Sequence, residues 1–131
     1  MSLPALATAV ASFYMVMLAL LLGSFINLAA DRLPRGESVV RPRSHCRGCG
    51  RQLNIVDLIP VGGYVLRQGR CAGCGVAIGR SSLAVEAFCG LAMTAALVLL
   101  GPVEGAVVGL GLVAVAGAVT VGLSYARPRP R

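Results

Sequence analysis

Three long apolar runs divide the chain, and each is longer than a buried helix of an ordinary soluble domain needs to be. The first runs from residue 3 to residue 30 without a charged side chain, which makes about 42 Å of helix against a bilayer core of about 30 Å. The second covers 83–103 with Glu86 as its one charge, and the third covers 106–126 with none. The pattern predicts an all-α integral membrane protein with transmembrane helices at 1–30, 83–103 and 106–126.

The segments between these runs differ greatly in length. Residues 31–82 separate the first helix from the second and form the predicted loop. The link between the second helix and the third is short and is centred on 101–105, which contains two glycines and a proline. Glycine and proline favour a tight turn there, so these two helices should run antiparallel. Residues 127–131 remain as a short basic tail.

Charge is sparse and one-sided, which adds an orientation to this picture. Only 13% of residues are charged, and all 12 basic residues are arginines against five acids. Nine arginines lie between the first two helices and three lie in the tail. Because arginine-rich segments stay on the cytoplasmic side, we expect the loop and tail in the cytoplasm and the N-terminus outside. Nothing basic precedes the first apolar run, so we expect a permanent span rather than a cleaved signal peptide.

Four of the five cysteines form two Cys-x2-Cys pairs within the loop. Cys46 and Cys49 make the first pair, and Cys71 and Cys74 make the second after 21 intervening residues. Such pairs are typical of a tetrahedral structural Zn²⁺ site, and a glycine follows each second cysteine where a turn commonly needs a positive φ. The sequence therefore predicts a small zinc ribbon with four thiolate ligands. Two disulfides are the alternative, which a reducing cytosol disfavours.

His45, Cys89 and the arginines of the loop each have a simpler role than metal or nucleic-acid binding. His45 could replace a cysteine as a metal ligand, but four thiolates already complete a tetrahedron, so we expect a bystander. Cys89, in the second apolar run, is expected to be a small packing residue. Readers of single-stranded nucleic acid pair a basic groove with stacking aromatics, and this loop has only Tyr64. We therefore predict no nucleic-acid partner and attribute the arginines to topology and to the headgroups of membrane lipid.

Many residues on both sides of the cysteines match, in order, those of one known family. They are Gly23-Ser24-Phe25-Ile26-Asn27, Arg32-Leu33-Pro34-Arg35-Gly36-Glu37-Ser38, Pro42-Arg43-Ser44-His45-Cys46, Asp57-Leu58-Ile59-Pro60, Tyr64, Leu66, Arg67, Gly69, Arg70, Cys71, Cys74, Ile78, Val85 and Glu86. Over about residues 23–86 the chain resembles the N-terminal part of type IV prepilin peptidases. The resemblance implies a bacterial inner-membrane enzyme that cleaves the leader of prepilins or pseudopilins, in type IV pili or type II secretion. It then methylates the new N-terminal amine with S-adenosylmethionine.

The resembling region corresponds to the zinc-containing half that this family associates with methylation. The peptidase half of the family uses two aspartates, one of them in a Gly-x-Gly-Asp motif. These 131 residues contain no such motif, and their only aspartates are Asp31 and Asp57. Aspartic proteolysis needs two carboxylates close enough to share a proton. We therefore expect no aspartic peptidase activity from this chain alone.

Glu86 is the predicted catalytic residue, because an ionisable group about one turn inside a membrane helix is a functional candidate by default. It could hold the amine of the substrate or the positive charge of the methyl donor. Alternatively, Glu86 pairs with Arg80 or Arg32, or favours the N-terminus of its helix through the dipole. Asp31 and Arg32 have the simpler role of ending the first helix, with substrate contact as the alternative. No glycine-rich cofactor motif is present, so donor-binding residues stay unknown.

Small and polar residues indicate where the helices meet. Asn27 is expected to form a hydrogen bond with another helix, and Gly23 and Ser24 to allow a close approach. Glycines and alanines in 109–122 would let the third helix pack against a partner, which could be a second copy of the chain or another subunit.

Three classes of function follow from these predictions. The first is a methyltransferase-type enzyme that acts on prepilin or pseudopilin N-termini. The second is a non-catalytic zinc-loop scaffold that completes a separately encoded aspartic peptidase subunit. The third is an unrelated membrane module. Binding of a methyl donor would separate the first class from the second.

Overall fold

The computed structural model describes residues 2–78 and 80–126, without the side chain of Arg80. Four α-helices and two short 3-10 turns make up its regular structure. In chain order they are α1 (Leu3–Arg32), the turns Leu33–Arg35 and Val56–Leu58, α2 (Gly62–Leu66), α3 (Arg80–Leu100) and α4 (Pro102–Ala126). By length and composition α1, α3 and α4 can each cross a membrane, which confirms the predicted all-α membrane architecture. The predicted basic tail at 127–131 lies outside the described residues.

The three long helices pack around a small core near their middle. Its fully or nearly fully buried side chains are Ala19, Cys89, Met93 and Val113. Cys89 is therefore a packing residue, as the sequence predicted. Most other large apolar side chains on these helices face outward, which is the arrangement expected where lipid is the solvent.

Glycines set the distances between the helices. A Cβ atom on Gly23 would lie 2.9 Å from the backbone of Glu86, so α1 and α3 meet there almost backbone to backbone. Gly109 in the same way faces Met93 of α3, and Gly117 faces Ile26 of α1. Two of the glycines predicted to face a partner therefore serve the internal packing of this chain. A Cβ on Gly111 would meet no atom of another helix within 4 Å.

The connection between α3 and α4 is tighter than the sequence predicted. Only Gly101, with φ of +84°, separates Leu100 from Pro102, whereas the predicted spans left 104–105 between them. Proline at the first position starts a helix rather than breaking one, since its missing N–H would have no partner there. Gly105 lies inside α4, where a Cβ would come within 2.5 Å of the Ala96 carbonyl oxygen. It therefore permits close packing of the hairpin rather than a turn.

Candidate metal centre and the cleft beside it

The first cysteine pair forms a tight knuckle closed by backbone hydrogen bonds. The N–H of Cys46 donates to the carbonyl of Arg51 at 2.8 Å, and the N–H of Gly50 donates to the carbonyl of Cys46 at 2.8 Å. Gly50 has φ of +73°, a conformation that glycine adopts without steric cost. An isolated antiparallel bridge between His45 and Gln52 continues the turn.

The second pair repeats this geometry nearly atom for atom. The N–H of Cys71 donates to the carbonyl of Val76 at 2.9 Å, and the N–H of Gly75 to the carbonyl of Cys71 at 2.9 Å. Gly75 has φ of +70°, and a bridge joins Arg70 to Ala77. The internal sequence repeat is therefore also a structural repeat, and each knuckle presents two thiols to the other.

The four sulfur atoms lie within 4.8 Å of one another. The Sγ atoms of Cys46 and Cys74 are 3.7 Å apart, and those of Cys49 and Cys71 are 4.0 Å apart. With Zn–S bonds of about 2.3 Å, tetrahedral coordination places neighbouring sulfurs about 3.8 Å apart. All four thiols are free. The donor set and its spacing therefore fit one tetrahedral, thiolate-preferring metal ion.

His45 is not part of this group. Its side chain is exposed, and its Nδ1 lies 3.0 Å from the carbonyl oxygen of Arg43. Among the described residues, the group that could hold a metal ion consists of the four predicted cysteines.

The knuckle geometry makes one thiol more acidic and another less acidic. Backbone N–H groups of Cys74 and Gly73, together with the guanidinium of Arg51, lower the pKa of the Cys71 thiol to about 6. The N–H of Val76 lowers the pKa of the Cys74 thiol, but burial and the neighbouring thiols outweigh it and hold that pKa at about 11. A metal ion that binds all four sulfurs must therefore displace a proton from Cys74.

A buried carboxylate ties the two knuckles to the segment between them. The side chain of Asp57 is 4% exposed, and its oxygens accept from Nη2 of Arg51 at 2.6 Å and Nε of Arg67 at 2.7 Å. Asp57 and Asn54 also exchange two hydrogen bonds, each from the backbone N–H of one to the side chain of the other. Burial raises the pKa of the Asp57 carboxyl, but the N–H of Asn54 and the two arginines outweigh it and lower that pKa below its usual value.

The first knuckle also contacts the end of α1. Nη2 of Arg47 lies 2.5 Å from an oxygen of Asp31 and 3.4 Å from an oxygen of Glu37. Arg35 adds a 2.8 Å ion pair to Asp31 within the turn that follows the helix. Asp31 thus ends α1, as predicted, and also attaches the loop to it.

Glu86 lies on α3 with 6% of its surface exposed, and it accepts two hydrogen bonds. The hydroxyl of Ser82 donates to Oε1 at 3.0 Å, and the backbone N–H of Val61 donates to Oε2 at 2.6 Å. Among the described residues, no ion pair joins Glu86 to Arg32, whose guanidinium donates instead to the carbonyl of Ser38 at 2.8 Å. Glu86 therefore attaches the loop to α3 through a backbone amide.

The loop is strained at the point where Glu86 binds it. Val61 has φ of +57° and ψ of −49°, and the N–H of Gly62 donates to the carbonyl of Pro60 at 2.5 Å. These values define the rare γ-turn with positive φ, which is unfavourable for a β-branched residue. Such strain persists where surrounding contacts impose it, and the hydrogen bond to Glu86 is one of them.

A cleft of about 1030 Å³ lies between the loop and the nearby ends of α1, α3 and α4. Four carboxylates contribute to its lining, from Asp31, Glu37, Asp57 and Glu86. Asn27, Arg32, His45 and residues of α4 also line it, among them Thr120 and Ser124. The structure therefore brings Glu86, Asp31, Arg32 and Asn27 to one cleft, next to the cysteine cluster.

The roles of Arg51, Asp57 and Arg67 were not predicted from the sequence. One local signal was present, since Asn54 and Asp57 have the three-residue spacing at which a side chain and a backbone amide cap each other reciprocally. The contact between Val61 and Glu86 joins residues 25 positions apart, and no short-range pattern marks it.

Comparison with known proteins agrees with the residue matches. The family model of the bacterial peptidase A24 N-terminal domain matches residues 17–100. A prepilin leader peptidase/N-methyltransferase of Myxococcus xanthus is 38% identical over 96 residues, covering 73% of this chain and 29% of that protein. A protein of the same name from Burkholderia pseudomallei is 30% identical over 135 residues, covering 84% and 44%. One from Bacillus subtilis is 41% identical over 56 residues, covering 43% and 23%.

The chain spans less than half the length of each of these relatives. No solved structure matches it significantly. The matched residues 17–100 include the second half of α1, the whole cysteine loop and α3, which confirms the resemblance found in the sequence. The chain belongs to the family of bacterial peptidase A24 N-terminal domains.

Proposed function

We propose that this chain is the metal-holding membrane module of a prepilin-processing system in the bacterial inner membrane, with its loop in the cytoplasm. Relatives that match it are named prepilin leader peptidase/N-methyltransferase. The observation that carries the proposal is the polar cleft between the cysteine loop and the helices, with the buried Glu86 in its wall. A cleft at the membrane surface could receive the N-terminal amine of a pilin-like helix that is itself embedded in lipid.

The metal centre has a structural role in this proposal. One Zn²⁺ would be held by Cys46, Cys49, Cys71 and Cys74, which fill all four positions of a tetrahedron and leave none open for substrate. The ion would fix the two knuckles against each other. Through Asp57, Arg47 and the Val61 amide, the fixed loop would then form one wall of the cleft.

Methyl transfer to an N-terminal amine is the chemistry proposed for the cleft. A bound S-adenosylmethionine would supply the methyl group. The residues of the chain would align the amine and keep it neutral. Alignment matters because the rate of such a reaction depends mostly on positioning. Glu86 offers a buried carboxylate that could take a proton from the incoming ammonium, and we propose it as the catalytic residue. To do so it would exchange one of its present hydrogen-bond donors for the substrate.

The test is methyl transfer from labelled S-adenosylmethionine to a pilin peptide with a free N-terminus, using the purified full chain in detergent. Glu86→Gln should lower the transfer rate by about 100-fold or more, the usual effect of losing a proton acceptor. Ser82→Ala is the matched control, because it removes one hydrogen bond to Glu86 but keeps the carboxylate. Equal rates in Glu86→Gln and the unchanged chain would exclude the catalytic role.

A non-catalytic scaffold is the second candidate. It is favoured by the engagement of both Glu86 oxygens in holding the loop on α3. The two aspartates are similarly engaged in ion pairs with arginines, so a separately supplied peptidase half would be needed for leader cleavage. The chain alone should leave a prepilin uncut, and addition of an aspartic peptidase partner should restore cleavage. Cleavage by the chain alone, lost in Asp31→Asn or Asp57→Asn, would contradict this.

A further inference from the structure

The two knuckles cover each other at equivalent positions with different side chains. Val76 follows the second knuckle, and its Cγ1 lies 3.2 Å from the position of a Cβ on Gly48. Arg51 follows the first knuckle, and its Cδ and Nε lie 3.2 and 3.5 Å from the position of a Cβ on Gly73. The cysteine cluster therefore has an apolar cover on one side and a guanidinium on the other.

The guanidinium is held in this place by Asp57 and still has a donor to offer. Nη2 of Arg51 binds Asp57 at 2.6 Å, whereas Nε is buried and has no hydrogen-bond partner among the described residues. The guanidinium lies against Gly73, whose backbone N–H donates to the Cys71 sulfur at 3.4 Å, so this sulfur is close by. A buried N–H without a partner is costly, so a thiolate next to it would satisfy the donor.

The charge of the metal centre also favours a cationic partner beside the thiolates. Four thiolates and one Zn²⁺ carry two net negative charges, and Cys46 and Cys71 are buried. A charge in such surroundings needs a partner. Arg70, the other arginine next to the second knuckle, donates to the carbonyl of Gly75 rather than to sulfur.

We propose that Arg51 is a positioning residue of the metal centre: fixed by Asp57, its guanidinium donates an N–H to the Cys71 thiolate and offsets the charge of the cluster. The inference rests on the metal centre proposed above. Partners of this kind that bind metal ligands typically change metal affinity by about 10–100-fold. Asp57 would act indirectly, since it holds the guanidinium of Arg51 and forms no hydrogen bond with a sulfur among the described residues.

The experiment measures the full chain in detergent, loaded with Zn²⁺ and separately with Co²⁺. In Arg51→Gln the rate of zinc transfer to a chelator should rise about tenfold or more, because the charge and the sulfur donor are lost. Arg51→Lys keeps the charge and should show a smaller rise. Asp57→Asn should also speed transfer, because it loosens the arginine without altering it. Arg47→Gln is the matched control, a change in the same knuckle at an arginine bound to Asp31, and it should leave the rate unchanged.

The Co²⁺ spectrum separates this role from simple loosening of the loop. An N–H bond to a thiolate lowers the energy of its lone pair, so removal of Arg51 should shift the thiolate-to-cobalt charge-transfer band to longer wavelength. Arg51→Gln with full zinc, an unchanged transfer rate and an unchanged band would overturn the inference. If Arg51→Gln does not fold, the same result in Arg51→Lys and Asp57→Asn would overturn it. Failure of the unchanged chain to retain any metal would instead contradict the metal centre itself.

Discussion

The two knuckles have the same backbone conformation but differ in the side chains that they present to the rest of the protein. The first has Arg47 within it and Arg51 after it, whereas the second has Ala72 and Val76 at the same places. Arg47 reaches the end of α1, and Arg51 reaches the buried Asp57. The second knuckle closes the metal site and has only apolar groups at these positions. A repeat can therefore conserve the geometry of metal binding while one copy alone attaches the domain to its surroundings.

The two knuckles should be equivalent in their thiols, and removal of a thiol should have the largest effect on zinc binding. Cys71→Ser and Cys46→Ser should each abolish stable zinc binding, since a structural zinc contributes on the order of 10 kcal/mol to folding. Metal analysis, together with the rate of trypsin cleavage at the loop arginines, measures the loss. Cys89→Ala should keep its zinc, because Cys89 lies in the helix core. Full zinc occupancy in Cys71→Ser would contradict the four-thiolate centre.

The sequence revealed the thiols and the spans because both are encoded locally. Cysteine spacing fixes a knuckle within a few residues, and a membrane helix needs only a long apolar run. The position of the hairpin differed from the prediction, because Pro102 and Gly105 are helix breakers by composition. In the structure Pro102 starts α4 and Gly105 makes a packing contact. What holds the loop on the helices depends on distant pairs, such as Arg47 with Asp31 and Glu86 with Val61. No periodicity predicts those pairs, since they arise only after the helices have packed.

The next largest effect should be that of pH, and it should distinguish the two thiols of the second knuckle. Protons and metal compete for sulfur, so zinc affinity should fall as pH falls. The Cys74 pKa of about 11 means that binding at neutral pH displaces its proton. Affinity should therefore drop at least about tenfold per pH unit from pH 8 to 6. Below the Cys71 pKa of about 6 the proton of Cys71 competes as well, and the slope should steepen. Chelator competition across this range measures the slope, and a flat profile would contradict the expected proton displacement.

The glycines after the knuckles test whether the two turns are equivalent. Gly50→Ala and Gly75→Ala each place a side chain at φ near +70° with no atom within 4 Å, so the cost comes from the backbone. That cost is about 1–2 kcal/mol, and zinc affinity should fall about 5–30-fold, equally in both variants. Gly36→Ala is the control, because Gly36 has the same φ but lies outside the knuckles, and its zinc affinity should not change. Unequal losses at Gly50 and Gly75 would show that the turns are not equivalent.

The smallest effect should come from the attachment of the first knuckle to α1. The ion pair of Arg47 with Asp31 is roughly half exposed on both sides, and such pairs contribute about 0.2–1 kcal/mol. Arg47→Ala should raise amide hydrogen exchange in the loop slightly without release of zinc, and Asp31→Ala should add little in the double variant because both remove the same pair. At about 1 M salt the screening length falls to about 3 Å, so the difference in amide hydrogen exchange between Arg47→Ala and the unchanged chain should shrink. Ala72→Ser, at the equivalent place in the second knuckle, should change nothing. If Arg47→Ala released zinc as fast as Arg51→Gln, attachment and metal binding would be one function of the first knuckle, and the division of roles between its two arginines would be wrong.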